Sequence, residues 1–140
     1  MRRVLLLLVC LAPLEVLAAG STLMCQGRLI QATRDPGQAS IEFTLDYAEG
    51  MQVATLKSNL EAINGPLTFQ LDDAFLQARQ PQPKPLGSEN RSIGVSSLRV
   101  SRTTGQFSLA VALYRDIDLP DGGALWEGAC RPRELAEKKF

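Results

Sequence analysis

Three carboxylates fall in one short stretch, Asp116-x-Asp118-x-x-Asp121-Gly122-Gly123. Calcium takes oxygen ligands, so the composition suits it, but the spacing does not match a calcium loop and no closing glutamate follows. The stretch reads as a polar hairpin connection turning on its two glycines. Asp72 and Asp73 are adjacent, so in a strand they face opposite sides, a poor geometry for a shared acid/base site. The chain has no histidine. That excludes Ser-His-Asp and Cys-His catalysis and every histidine-ligated metal site in this chain. Serines and Thr104 have no base partner by motif, and no glycine-rich phosphate loop is present. No catalytic set, metal site or cofactor is expected. Arg99, Arg102 and Arg115 read as solvated or rim side chains rather than one patch.

Cysteine is the most informative residue type. Cys10 lies in an apolar run near the start, and Cys25 and Cys130 lie near the two ends. Met1-Arg2-Arg3 is a basic start, Val4 to Leu14 is apolar with Pro13 in it, and Val16 to Gly20 supplies small residues for cleavage. This is the anatomy of an export signal, residues 1–19, too short to span a bilayer. Cleavage removes Cys10 and leaves a chain expected in the periplasm or outside the cell. Two cysteines in an exported chain most simply form one disulfide, Cys25–Cys130. A redox pair would need Cys-x-x-Cys spacing, and a metal site more soft ligands.

The flanks of the two cysteines predict a strand pairing. With Cys25 opposite Cys130 in antiparallel strands, Gly27 falls opposite Gly128 and Leu29 opposite Trp126, all on one face. The paired glycines leave a gap for the Trp126 ring to cover. First and last strands are therefore expected to be neighbours.

The elements between must position these residues. Apolar residues are 45% and charged residues 21%, as in a soluble globular protein. Removing Arg2, Arg3 and Glu15 with the signal leaves 13 basic and 14 acidic side chains, no footprint for nucleic acid. Residues 20–131 read as one β domain and 132–140 as a frayed tail. Ile41, Phe43, Leu45 and Tyr47 alternate with polar residues, as in a half-buried strand. Across Ala48-Glu49-Gly50, Leu45 is expected opposite Val53 and Phe43 opposite Thr55. Ser58-x-x-Glu61 matches a capping box and predicts a short helical turn at 59–64, with an Asn64-Gly65 hairpin turn as the alternative. Phe75 to Gln80 reads as a short strand or a helical turn. Pro81-Gln82-Pro83-Lys84-Pro85 excludes a central strand and predicts an extended loop, a candidate partner-binding segment through Pro81, Pro83, Lys84 and Pro85. A hairpin at 97–114 is expected to pair Arg102 with Phe107, Val100 with Leu109 and Leu98 with Val111. The last loop, 116–123, leads into strand 124–131.

The sum is an all-β fold: seven or eight strands in an antiparallel meander forming a small barrel or half-barrel. A two-sheet β-sandwich is the alternative. Three features together give a resemblance: Phe43-Thr44-Leu45-Asp46-Tyr47, Arg102-Thr103-Thr104-Gly105, and Gly128-Ala129-Cys130. The chain resembles a loose class of short exported bacterial β proteins of uncharacterised function. The resemblance implies a small β fold and export, and no activity.

Two functions suit such a fold, and an enzyme is not expected. One is a non-enzymatic interaction module with an unknown protein partner. The other is a carrier holding a small apolar ligand in a partly closed barrel, with Trp126, Leu29, Phe43 and Phe107 lining the pocket or packing the core. A hollow interior beneath Trp126 favours the carrier, and a solid core with an exposed apolar patch favours the module.

Overall fold

The computed structural model describes residues 21–34, 37–48, 50–87, 90–116 and 119–133. The export signal, Cys10, Asp118 and most of the tail lie outside these residues. The strands are β1 (Ser21–Ala32), β2 (Ser40–Tyr47), β3 (Val53–Ser58), β4 (Gly65–Leu71), β5 (Phe75–Arg79), β6 (Lys84–Leu86), β7 (Arg91–Ser101), β8 (Gln106–Arg115) and β9 (Leu119–Pro132). Eight of them close into one antiparallel barrel, ordered β1-β2-β3-β4-β5-β7-β8-β9 and back to β1. The closed ring replaces the sandwich alternative. β6 is the extra strand, paired only with the start of β7. Pro85 sits in it, at an edge where its missing N–H costs no ladder bond. Among the described residues no helix is long and apolar enough to cross a membrane.

The seam between β1 and β9 follows the expected register: Cys25 opposite Cys130, Gly27 opposite Gly128 and Leu29 opposite Trp126. The two cysteines are joined by a disulfide, with Cα atoms 4.0 Å apart. The Cys130 N–H donates away from β1, to Gly105 O at 2.7 Å. The cysteines are therefore a non-hydrogen-bonded pair, the closer of the two antiparallel spacings. One expectation at the seam is corrected. The ring over the glycine pair belongs to Phe107, which lies directly opposite Gly128 on β8. A Cβ on Gly27 would stand 2.6 Å from Phe107 Cζ. Trp126 fills the core one step further along, fully buried, with its indole N–H donating to Gln38 O at 3.1 Å.

Two other registers differ from expectation. Leu45 pairs with Leu56, not Val53. This odd shift turns Ala54 and Leu56 inward and leaves Val53 49% exposed. The expected register would have put Lys57 in the core, and burying an unpaired charge outweighs a shorter loop. In the second hairpin Val100, not Arg102, faces Phe107, and Leu98 faces Leu109. This even shift keeps the same faces. Arg102 joins the turn, which closes by Gly105 N–H donating to Ser101 O at 2.8 Å, with Gly105 at φ 74°. Further along β7 a bulge at Ser96 brings both Val95 and Leu98 inward, although they are three apart.

The helical turn is a 3-10 turn, Glu61–Ile63, without a side-chain cap. Ser58 Oγ instead accepts from Leu60 N and donates to Asn64 Oδ1. The turn carries Ile63, fully buried, against β3 and β7. Inward side chains from the eight barrel strands and Ile63 form one continuous apolar cluster, without a buried unpartnered side-chain polar atom among the described residues.

Two predictions follow from the seam. Replacing both bridged cysteines by alanine frees a closed loop spanning a sequence separation of 105. It is expected to cost up to about 4–5 kcal/mol in urea unfolding. A Cβ on Gly128 meets the backbone of Gln26 and Gly27. Gly128→Ala is therefore expected to cost at least about 2 kcal/mol, and Phe107→Leu will not rescue it, because the collision is with main chain.

Candidate functional site

Where the inner face of a strand is apolar, its outward positions carry the chemistry. Across the seam these positions fall into rows. One row reads Arg99 on β7, Ser108 on β8, Glu127 on β9, Arg28 on β1 and Ser40 on β2. The next reads Gln106, Ala129, Gln26 and Glu42. Phe75 on β5 stands beside Ser101 at its far side.

These rows line a groove of about 1070 Å³ on the outside of the barrel. Its middle is low because Ser108 and Ala129 are small. Gly27, Gly128 and Phe107 also contribute to its lining, although they belong to the inner rows. The glycine pair lets the β1 and β9 backbones lie close on the Phe107 ring, so the device that seals the seam also lowers the surface above it. The Arg99 guanidinium lies 3.6 Å from the centre of the Phe75 ring and forms one wall. Ile30 lies on the opposite side of the groove, 57% exposed, at the β1 bulge.

Two arginines and two glutamates balance the groove's charge. Among the described residues, the side chains of Gln26, Arg28, Glu42, Gln106 and Glu127 hold no protein hydrogen bond or ion pair. Some polar side chains elsewhere are engaged. Thr22 donates to Asp46, Asn59 bridges Glu42 N and Ser40 O, and Gln80 joins Ile63 O to Val95 N. The groove thus presents carboxamides, carboxylates and a guanidinium with their bonding capacity open.

The carboxylates singled out in the sequence have structural work. Asp121 is the extra residue of a bulge in β9 and accepts from Arg115 at 2.8 Å and Arg34 at 3.1 Å. The Arg115 hydrogen bond, then the charges of Arg115, Arg34 and Arg91, hold its carboxyl below the usual range. Asp72 accepts from the N–H groups of Phe75 and Ala74, at 2.7 and 2.8 Å, and these bonds lower it, with Arg99 and Arg102 helping. Neither aspartate faces a second described carboxylate in a metal-holding cluster.

The remaining candidates separate. Trp126, Phe43 and Phe107 are buried in the core and Leu29 is half-buried against it. Phe43 and Phe107 meet edge to face, centroids 5.0 Å apart. Pro81, Pro83 and Pro85 are exposed, while Lys84 is half-buried, its Nζ laid over Gly65. That segment pairs with the start of β7, at the opposite end of the strand from Arg99 and Ser101, so it does not join the groove. Sequence reasoning missed Gln26, Arg28, Gln106, Ser108 and Glu127. The cysteine register already placed Arg28 opposite Glu127; the missing step was that β8 docks on β9 with Phe107 at Gly128.

Comparison with protein-family models, with curated proteins and with solved structures finds no match to this chain.

Asp121 and Asp72 have depressed folded values, so each stabilises the fold above its unfolded pKa and loses that contribution as pH falls through the folded value. Asp121→Asn and Asp72→Asn are expected to lower the urea midpoint most near neutrality. The gap to the parent should close as pH falls through the carboxylate range. A gap that is constant with pH would show that charge plays no part.

Proposed function

We propose that this chain is an exported, non-enzymatic binding module that takes its partner on the outside of its barrel, in the groove across β7, β8, β9, β1 and β2. The observation that carries the reading is the contrast between interior and surface. Trp126 is fully buried and bonded to Gln38 O, and Phe43, Phe107 and Leu29 pack into the same cluster. The residues that would line a carrier's pocket are engaged with one another. Outside, the polar side chains of the groove have open hydrogen-bonding capacity and a low centre between two walls. Such a concave surface with a few convergent polar groups is the ordinary form of a binding site. The signal-like residues 1–19 and the Cys25–Cys130 bridge support export, since disulfides persist in oxidising compartments.

A native mass spectrum of the protein taken from the periplasm without refolding tests the reading. The expected result is a monomer without a retained apolar ligand, two hydrogens lighter than the reduced mature sequence. An apolar ligand carried through purification would overturn the outer-surface reading in favour of the carrier. Recovery from the cytoplasm alone, with both thiols reduced, would remove the export part.

A further inference from the structure

The ring closes without using the whole of β7. β5 pairs only with residues 98–101, so the β7 edge at residues 91–95 runs on past it. An unpaired strand edge is a template for another chain. The segment 80–87 lies along this one. Val95 is met first: its N–H donates to Gln80 Oε1 at 2.7 Å, and its C=O accepts from Gln80 N at 2.9 Å. Backbone groups alternate in direction along a strand, so Ile93 and Arg91 face the same side as Val95, while Ser92 and Gly94 face β8. The Asn90 C=O, which accepts from Asp116 N at 2.8 Å, keeps that phase. Lys84 and Leu86 stand opposite Ile93 and Arg91 and therefore carry the ladder bonds of β6. Their half-buried side chains anchor the strand, Leu86 against the core and Lys84 over Gly65.

Pro85 stands opposite Ser92, so its nitrogen points away from β7. Pro83 lies one alternation back, its Cα 3.3 Å from where a Cβ on Gly94 would stand, and its nitrogen points the same way. The outer edge of β6 thus has carbonyl oxygens at 83 and 85 and an N–H at neither. Gly87, at φ 64°, turns the chain out of the strand directly after. Among the described residues no strand pairs with this outer edge. Proline at every second residue removes donors from that side alone; a proline at 84 or 86 would have cost a bond to β7.

We infer that segment 80–87 is an edge guard: it pairs with the part of β7 that the ring leaves open, and it offers no ladder to a second chain. The prolines act through the donors they withhold. A polyproline ligand for a partner turns every three residues and would not set 83 and 85 on one side.

The test restores the donors. Pro83→Thr, Pro85→Thr in the disulfide-bonded protein is compared with the parent by sedimentation velocity from about 10 µM to 1 mM. The parent is expected to stay monomeric throughout. The double variant is expected to keep the parent's thermal midpoint and to shift to larger species as concentration rises, with amide exchange slowed at 83–87 in the associated form. Gln82→Thr, which adds no donor, is expected to stay monomeric. If the double variant loses the parent's thermal midpoint, Pro85→Thr alone is read in its place. A folded proline variant that stays monomeric over the whole range overturns the inference. So does association of the parent or of Gln82→Thr, or association whose protected amides lie away from 83–87.

Discussion

The fold depends on a close approach of two backbones. β1 and β9 meet where Gly27 faces Gly128, and neither position tolerates a Cβ without striking main chain. On the inner side of that contact lies the edge of Phe107, and next to it the Cys25–Cys130 bridge. Covalent closure, missing side chains and an aromatic lid thus act at one seam. The order matters. The glycines allow the approach, Phe107 restores the apolar contact that two glycines would otherwise leave empty, and the disulfide holds the register against slippage. Phe43 then leans on Phe107 from β2, so the two strands that flank the seam, β2 and β8, touch across its inner side.

From that seam the rest of the barrel follows by alternation. Each strand turns one row inward, and the rows merge into a single cluster. Two irregularities adjust the phase. The bulge at Ser96 lets Val95 and Leu98 both face in, and the bulge at Ile30 ends the alternation of β1 where it leaves Trp126. The 3-10 turn sets Ile63 into the core between β3 and β7. Gln80, by bonding Ile63 O and Val95 N, ties this turn to the strand wall.

Much of this was legible in the sequence because period-two alternation and paired cysteines are local, strong signals. The seam register could be read from five residues on each side of it. Hairpin lengths could not. Ala48-Glu49-Gly50 looks like a complete connection, and only the cost of Lys57 inside the barrel lengthens it. Thr103-Thr104-Gly105-Gln106 likewise fits a turn of the same length set one residue further along than the one that forms, because the bonds of Arg102 and Cys130 to neighbouring loops are non-local. The groove was the least legible part. Its residues are ordinary outward side chains on five strands, and their convergence depends on which strands are neighbours and on a dip created from the other side of the sheet.

The same seam governs when the molecule can exist at all. The strand that completes the ring, β9, is the last of the described strands in chain order, and its partner β1 is the first. No partial chain can close, so nascent β1 and β8 must wait with bare edges until β9 leaves the ribosome. Contacts of such long sequence separation form slowly. A barrel built this way gains its closed shape only when its ninth strand docks, however complete the rest of the wall already is.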